Sequence, residues 1–425
     1  MKAGRFTHRT LAQVSLCGLA LSIIISSTAL GGGFSLARSA GMAGAHLGLA
    51  KGVAAAYFNP ANLGLSSHRQ TSVHLAGIGL NLTNNSFSLD DYNTYTGALL
   101  TQADKQIILG KIPIDGLKLT ADAEASFSGV SVKQFALTFT GYGAGEVNIN
   151  KDVLEVLLNG NALGDTISLE GMYGAGWTYA SVGLSFGVPI YTKGTRQLAV
   201  GASAHYLKGI YFADVTRVEG FAATLATGFQ GDGALIVHTA DGGSGFALDF
   251  GAALQLNEDY TVGLSLKNLL SSINWSGNPE ERGFTFAFDT VTLANAGNDS
   301  VLVTSEFTNT LSGFSSNLPS TLTLGIANTT GKFLWAIDWE QGFSRNPGAS
   351  TKPQLTAGAE YAFAKFLPLR AGLGFGGRHG SQLAFGGGIK LSAFYFDIAF
   401  LTSGSTLNSS SNKGARFAAS TGLSF

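Results

Sequence analysis

Two short motifs in the chain match patterns known from catalytic and phosphate-binding sites. Gly183, Ser185 and Gly187 match the GxSxG pattern of serine hydrolases, and the run from Gly372 to Gly377 matches GxGxxG. The first pattern needs a strand–turn–helix that exposes the serine, and the second needs a following helix that receives a pyrophosphate. Ser185 lies inside a long strand-like run, and no helical pattern follows Gly377. Neither chemistry is therefore predicted.

The histidines do not indicate a catalytic or metal site either. No spacing marks His74, His205, His238 or His379 as a general base, and the sequence has no HExxH motif or carboxylate cluster. A lone histidine facing a lumen, as we expect for His205, is more often structural than catalytic. We therefore predict that the protein is not an enzyme and uses no metal or cofactor.

The composition indicates a membrane protein that lacks helical spans. Only 12% of the 425 residues are charged, 45% are hydrophobic, and the mean hydropathy is +0.21. Soluble domains carry about 25% charged residues. One N-terminal segment alone is long and apolar enough to cross a bilayer as a helix, and closed barrels are the other structure that crosses lipid. A net charge of −1 gives no basic footprint for nucleic acid.

Residues 1–29 have the pattern of a secretory signal peptide. Lys2, Arg5 and Arg9 form a positive region, Leu11–Ser26 an apolar core, and the small residues before position 30 a cleavage site after Ala29. A retained membrane anchor is the alternative, although no charged stop follows the core. Cleavage would also remove Cys17, the single cysteine.

Segments of the C-terminal half alternate apolar and polar residues with a period of two. Each has about ten residues, which is the length that a tilted strand needs to cross a bilayer. A soluble β-sandwich would also alternate, but its outer face would be charged and its strands would have nearer five or six residues. The segments lie at 246–256, 262–267, 333–340, 355–363, 369–375, 394–400 and 416–425.

Further strand-like runs bring the total to roughly 14 to 16, and because bacterial barrels have even strand numbers we predict 14. These runs lie around 71–82, 123–132, 134–143, 176–188, 197–212, 215–227, 283–293, 301–311 and 320–329. The predicted fold class is all-β, a transmembrane antiparallel β-barrel over residues 71–425.

The alternation also predicts which charged residues face the lumen. They are Asp249, Lys267, Asp338, Glu340, Glu360, Arg370, Lys390, Asp397 and Arg416. A ring of one sign would indicate ion selectivity. This set is nearly balanced, so we expect internal salt bridges to a plug.

Two stretches interrupt the strand pattern, at residues 101–111 and 150–160. Thr101 and Asp104 form a capping-box-like start of the first, and Asn150 and Gly160 fit the two ends of the second. We predict two short amphipathic helices in long excursions between strands. They could cap the barrel, dock a protein partner, or pack on each other.

Residues 30–70 are rich in small residues and are neither strand-like nor typical of disorder. Proline pushes the preceding Asn59 towards an extended conformation, so a turn or cap is expected there. Small residues permit close packing. The segment therefore fits a plug, or hatch, inside the barrel.

The same segment carries a family resemblance. The runs Ala37–Ala45 (ARSAGMAGA) and Tyr57–Leu63 (YFNPANL) resemble the N-terminal segment of FadL-type outer-membrane proteins. That superfamily includes long-chain fatty-acid and aromatic-hydrocarbon transporters and PorV-type secretion components. The resemblance implies a 14-stranded barrel whose hatch contains an Asn-Pro-Ala motif, here Asn59, Pro60 and Ala61.

The C-terminus carries a second resemblance. Phe425, with Leu423 and Phe417 in phase, resembles the signal that the outer-membrane assembly machinery reads. Within the superfamily the chain is most similar to uncharacterised members grouped under a domain of unknown function. It departs from the pattern at Asn62, where many relatives have glycine, and in its helical excursions.

The resemblance implies a function in the outer membrane of a Gram-negative-type bacterium. The expected function is passive uptake of hydrophobic small molecules, such as long-chain fatty acids or hydrocarbons, through a barrel embedded in the outer-membrane lipid bilayer. The alternative is a non-transporting scaffold or secretion component that binds a partner protein through helices 101–111 and 150–160. An outer-membrane hydrolase ranks last.

Overall fold

The computed structural model describes residues 33–292, 295, 301–344, 348–404 and 411–425. The predicted signal peptide at 1–29 and the first three residues of the predicted hatch lie outside this set. The described residues form a closed antiparallel β-barrel of 14 strands with an N-terminal segment inside it and an accessory sheet at one end. The predicted fold class is confirmed.

The strands differ widely in length. In chain order they are β1 (Ser72–Asn84), β2 (Leu117–Val132), β3 (Phe135–Ile149), β4 (Thr166–Ser168), β5 (Tyr173–Lys193), β6 (Arg196–Leu225), β7 (Gly228–Ala240), β8 (Gly243–Gln255), β9 (Tyr260–Trp275), β10 (Glu280–Val291), β11 (Leu302–Thr310), β12 (Phe314–Ser316), β13 (Thr321–Asn328), β14 (Phe333–Gly342), β15 (Gln354–Ala364), β16 (Leu367–Gly376), β17 (Gln382–Leu391), β18 (Phe394–Ser403) and β19 (Gly414–Ser424).

The barrel wall consists of β1, β2, β3, β5, β6, β8, β9 and β13 to β19, each paired with the next. Pairing of β1 with β19, from Ser72 opposite Ser424 to Thr83 opposite Gly414, closes the ring. Alternate side chains point outward, and apolar ones such as Ile337, Phe396 and Phe400 are exposed there. This apolar outer face matches the hydrocarbon of a bilayer.

The two ends of the barrel have different connections. At one end the strands are joined by turns as short as 133–134, 194–195 and 392–393, and β19 ends beside the start of β1. We call this the short-turn end. At the other end the connections are long and contain the helices and the accessory sheet. We call it the long-loop end.

We call the accessory sheet the platform. It includes the second half of β6, which extends beyond the barrel wall. The first half of β6 pairs with β8 in the wall, whereas Phe212–Leu225 pairs with β7. The strand order is β4–β6–β7–β10–β11. Beyond Asp214, the last residue paired with β5, β6 continues to Leu225, about 36 Å along the strand at about 3.3 Å per residue.

The platform corrects the predicted composition of the wall. The runs around 215–227, 283–293 and 301–311 are strands, as predicted, but they lie in the platform. The sequence could not separate the two sheets by alternation, since any strand with two different faces alternates.

The helices are short. They are α1 (Ala37–Ala40), α2 (Val53–Phe58), the 3-10 helix Pro60–Gly64, α3 (Leu89–Tyr95), α4 (Gln102–Lys111) and α5 (Lys151–Asn159). The two predicted excursion helices correspond to α4 and α5, which pack against each other, and α3 was not predicted. No helix in the described part of the chain combines the length and hydropathy needed to cross a membrane.

Capping groups explain where α3 and α4 begin. Thr101 and Asp104 form a reciprocal capping box, and these hydrogen bonds lower the pKa of Asp104. Ser88 and Asp91 form a second box. Lys111, at the end of α4, makes an ion pair with Asp91 and so joins the two helices.

Candidate functional site: the hatch and the lumen cavity

Residues 33–65 lie inside the barrel, towards the short-turn end, and most of them are buried, whereas most residues from 66 to 71 are exposed. Alanines 37, 40 and 43 of this hatch pack against alanines of β17, β18 and β19. Small side chains let the hatch backbone approach the wall closely. The sequence signal for a plug, its run of small residues, therefore coincides with a closely packed segment.

The Asn-Pro-Ala motif fastens the hatch to the wall. Asn59 is fully buried and extended, with φ −154° and ψ 104°, and it begins the 3-10 helix. Its Oδ1 accepts a hydrogen bond from the N–H of Ala61 at 3.1 Å, and its Nδ2 donates to the carbonyl of Ala252 on β8 at 2.9 Å. One side chain therefore shapes the turn and also ties it to the barrel.

Glycines form the part of the wall that the motif touches. Gly187 on β5, Gly201 on β6 and Gly251 on β8 lie side by side in register. A Cβ at any of them would overlap atoms of the Asn-Pro-Ala segment. The sequence contains these glycines, but their common row depends on strand register and was not predicted.

Two carboxylates of the wall bind backbone N–H groups of the hatch. Asp338 on β14 accepts hydrogen bonds from the N–H groups of His46 and Leu47 at 2.7 and 2.8 Å. Glu124 on β2 accepts bonds from the N–H groups of residues 33 and 34 at 2.8 and 2.7 Å, and from the Ser35 hydroxyl. Glu124 was missed by the sequence reasoning, although its inward phase within β2 could have indicated it.

A four-residue ion network joins the hatch to β15, β16 and β18. Arg38 makes a bidentate contact with Glu360, at 2.8 and 3.0 Å. Arg370 contacts Glu360 at 2.7 Å and Asp397 at 2.7 Å, and only 3% of its side chain is exposed. Two arginines balance two carboxylates. Such mutual pairing is what makes buried charges tolerable.

A cavity of about 280 Å³ lies between the hatch and the long-loop end. Hatch rings Phe34 and Phe58 face it, and two wall cations lie over them. The Nζ of Lys267 is 5.3 Å from the Phe58 ring centroid, and the guanidinium of Arg416 is 5.4 Å from that of Phe34. These are cation–π distances. The cavity thus combines aromatic faces with charge.

Inward-folded loops roof the cavity. Residues 348–350 and 377–379 from two long-loop connections line it. Arg378 reaches across the lumen and makes an ion pair with Asp122 on β2 at 2.6 Å. This contact joins residues far apart in the chain and had no signal in the sequence.

A groove of about 270 Å³ lies on the outer face of the wall at β1, β2 and β19. Its rim is apolar and its floor is built of alanines; the outward residues are Leu80, Leu82, Ala121, Ala123, Phe400, Ala415 and Phe417. Asn81, Asp122 and Arg416 line both this groove and the lumen cavity. The hydrogen-bonded strands are therefore the partition between the two spaces.

The remaining residues singled out from the sequence lie as follows. Lys267 and Glu340 line the cavity, whereas Lys390 is exposed near the short-turn end. Phe417 and Leu423 belong to β19, and the N–H of Phe425 donates to the carbonyl of Thr71. Their roles in gating or assembly remain predictions.

The structure does not pair Ser185, the serine of the GxSxG motif, with a histidine. The Ser185 hydroxyl is 2.7 Å from that of Ser203. A different serine, Ser181, is 3.4 Å from Nδ1 of His205, whose Nε2 is 3.0 Å from Asp249. None of Ser181, His205 and Asp249 lines the cavity. Among the described residues no cluster of three or more potential metal ligands is found.

Solved structures with a similar fold include a monoaromatic hydrocarbon channel and a toluene transporter. A TodX variant, the deltaS2S3 mutant monoaromatic hydrocarbon channel, is 12% identical with a TM-score of 0.53, covering 93% of this chain and 99% of that one. The P. putida toluene transporter TodX is 11% identical, with a TM-score of 0.49 and coverage of 91% and 96%. A Pseudomonas aeruginosa FadL homologue is 11% identical, with a TM-score of 0.48 and coverage of 93% and 98%. The likeness to the TodX variant shows a shared barrel fold, which is the fold that the resemblance implied.

Sequence comparison gives a family. No curated protein matches the chain significantly. The profile described as "Family of unknown function (DUF5723)" matches residues 60–233 and 215–400, which together are far more than half of the 425 residues. The chain therefore belongs to the family of unknown function DUF5723.

Proposed function

We propose that the protein is an outer-membrane barrel for passive uptake of hydrophobic small molecules, such as long-chain fatty acids or hydrocarbons. The observation that carries the proposal is the partition at β1, β2 and β19. There the lumen cavity and an apolar outer groove share Asn81, Asp122 and Arg416. A cargo in the cavity is thus one strand layer away from the lipid.

The proposed route has three steps. A hydrophobe enters from the long-loop end when the Arg378 loop moves off Asp122. It lies in the cavity against the rings of Phe34 and Phe58. It then leaves through the wall or, when the hatch shifts, through the short-turn end.

The proposed orientation follows from the loop lengths. Outer-membrane barrels have short periplasmic turns and longer extracellular loops. The short-turn end, which holds the hatch and the C-terminus, would face the periplasm. The platform and helices α3, α4 and α5 would face outside.

Uptake of a labelled long-chain fatty acid by cells that lack their own importer tests the proposal. Surface expression and heat-modifiable gel mobility are checked first. We expect saturable uptake above the empty-vector control. Asn59→Ala should lower uptake while the barrel stays folded, because the hatch loses its bond to Ala252, and the exposed Asn159→Ala on α5 serves as the matched control.

One result would overturn the transport function, and a second would overturn only the role given to Asn59. A folded, surface-exposed barrel that takes up neither the fatty acid nor labelled toluene has no transport function of this class. Uptake that is unchanged in Asn59→Ala would remove the hatch role of Asn59 but leave transport standing.

A scaffold that binds a protein partner is the second candidate, and exposed apolar residues on the excursion helices favour it. Leu157 on α5 is 67% exposed and Ile107 on α4 is 49% exposed. Deleting 97–118 or 148–163 should abolish recovery of such a partner and leave hydrophobe uptake largely intact. Loss of uptake without loss of a partner would contradict this function.

A further inference from the structure

The platform ends in a strand with an open edge. β11 pairs with β10 from Glu280 opposite Thr310 to Phe288 opposite Leu302. In the described ranges no strand pairs with its other side, and every residue of β11 except Phe307 is exposed. The opposite edge of the platform is partly covered, since β4 pairs with β6 there. β11 therefore presents unpaired backbone groups along its length.

This edge carries only one of the devices that normally protect a sheet edge, the charged side chain of Glu306. Proteins guard edge strands with charged residues, proline, β-bulges or very short length. The nine residues of β11, LVTSEFTNT, include no proline or lysine, and their register with β10 is unbroken. An edge with so little protection is a template on which another extended chain can pair, provided that the chain tolerates the charge of Glu306.

An aromatic face lies beside the edge. Phe284, Phe286 and Phe288 follow one another on one face of β10, and their rings contact each other or neighbouring strands. The rings of Phe286 and Phe288 lie where Cβ atoms of Gly233 and Gly231 would be. On β11 the same face carries Leu302, Thr304 and Glu306, which sit opposite Phe288, Phe286 and Phe284. Alternate side chains of an added strand would therefore lie beside one apolar, one polar and one acidic side chain.

Charge on the platform selects the occupant. Its carboxylates are Asp214, Glu219, Asp232, Glu280, Glu281, Asp289 and Glu306, and its only arginines within the described strands are Arg217 and Arg282. Both arginines are already paired, with Glu219 and Glu280. The surface is thus acidic and complements a basic chain.

A second copy of the protein fits less well. Glu306 is the central residue of β11. Antiparallel pairing of two β11 strands about their centres would place the two Glu306 side chains opposite each other. Like charges directly opposite on a sheet are destabilising.

We propose that the platform binds an extended basic segment of another protein, which adds to the free edge of β11 as an antiparallel or parallel strand. Backbone hydrogen bonds would supply the affinity, and the phenylalanine face and the carboxylates would select the side chains. This function is independent of hydrophobe uptake.

The full-length protein in detergent micelles and three fluorescent nine-residue peptides test the proposal. One peptide alternates threonine and lysine, the second alternates threonine and glutamate, and the third is the basic peptide with every backbone N–H methylated, so that neither of its edges can donate. Fluorescence anisotropy should show the basic peptide binding at least tenfold more tightly than the other two. N-methylation removes the N–H donors that strand addition requires.

Charge reversal provides a second measurement. The double variant Glu281→Lys/Glu306→Lys should bind the basic peptide more weakly and the acidic peptide more tightly than the wild type does. Glu155→Lys, on α5 at the same end, should bind both peptides as the wild type does. Heat-modifiable mobility confirms that each variant is folded. Equal binding of the methylated and unmethylated peptides, absence of binding, or a dimer of the protein formed through β11 would each overturn the proposal.

Discussion

The hatch-filled barrel and the platform are both antiparallel sheets built from alternating sequence, yet they handle charge in opposite ways. In the barrel, the buried charged side chains lie on the inner face and several pair with the hatch or with each other, as Arg370 does with Glu360 and Asp397. In the platform they are exposed, and Arg282 pairs with Glu280 at the surface. Alternation thus identifies a strand, and the charges distinguish a lipid-facing sheet from a water-facing one.

The largest expected difference between the two regions is the loss of stability when an arginine is removed. Arg370→Met leaves Glu360 and Asp397 buried with fewer partners, so we expect it to lower the free energy of unfolding by about 3–5 kcal/mol. The matched Arg282→Met removes a platform arginine that is 61% exposed, and we expect a loss of about 0–1 kcal/mol. Urea unfolding followed by heat-modifiable mobility measures both. Similar losses of unfolding free energy in the two variants would contradict the proposed difference between buried and exposed arginines.

The glycine row under the hatch predicts the next effect. A side chain at Gly201 would overlap backbone atoms of Pro60 and Ala61, so we expect Gly201→Val to cost about 1–3 kcal/mol through overpacking. It should also expose the hatch to protease. Gly110→Ala on α4, where a Cβ meets nothing within 4 Å, serves as the control and should be neutral or slightly stabilising. A hatch equally protected in both variants would mean that this contact does not hold it.

Glu124 tests whether wall carboxylates anchor the hatch. Glu124→Gln weakens the acceptor for the N–H groups of Gly33 and Phe34, and we expect a cost of about 1–2 kcal/mol because bonds to charged groups are the stronger ones. Limited proteolysis should cut the variant earlier within the hatch. Glu155→Gln on the exposed side of α5 should behave like the wild type. Unchanged cleavage would assign the anchoring to Asp338 and Arg38 instead.

The smallest effect concerns pH at the long-loop end. Although burial opposes it, hydrogen bonds from Lys111 and Ser88 hold the pKa of Asp91 below its ordinary value of 3.8. A lowered folded-state pKa contributes stability above the unfolded pKa, and that contribution is lost as the pH falls through the folded value. Amide protection factors of α3 and α4 should therefore fall between pH 6 and pH 2. In Asp91→Asn they should be low at both values, and a wild-type profile in that variant would contradict the assignment.

Much of the barrel was predictable from sequence, because a two-residue period and ten-residue segments are local properties. The hatch was predictable from its small residues and its Asn-Pro-Ala motif. The platform was assigned to the wall, since alternation does not report whether the outer face meets lipid or water. The charged residues Glu281, Arg282 and Glu306 were the sequence feature that could have indicated a water-exposed sheet.

The contacts that define the candidate site were beyond sequence reasoning. The row of Gly187, Gly201 and Gly251 requires the register of three strands. The Arg378–Asp122 ion pair joins residues 256 positions apart. Register and loop folding depend on tertiary packing, so no local pattern could place these groups together.

A reversible staple across the partition tests the proposed lateral route most directly. Leu80 and Phe417 are paired across β1 and β19 and both face outward, so Leu80→Cys/Phe417→Cys can link the strands. Leu264→Cys/Leu324→Cys, across β9 and β13 on the far side of the wall, is the control. We predict that only the first staple lowers fatty-acid uptake at least tenfold and that reductant restores it. Full uptake through the oxidised β1–β19 staple would contradict passage through this part of the wall.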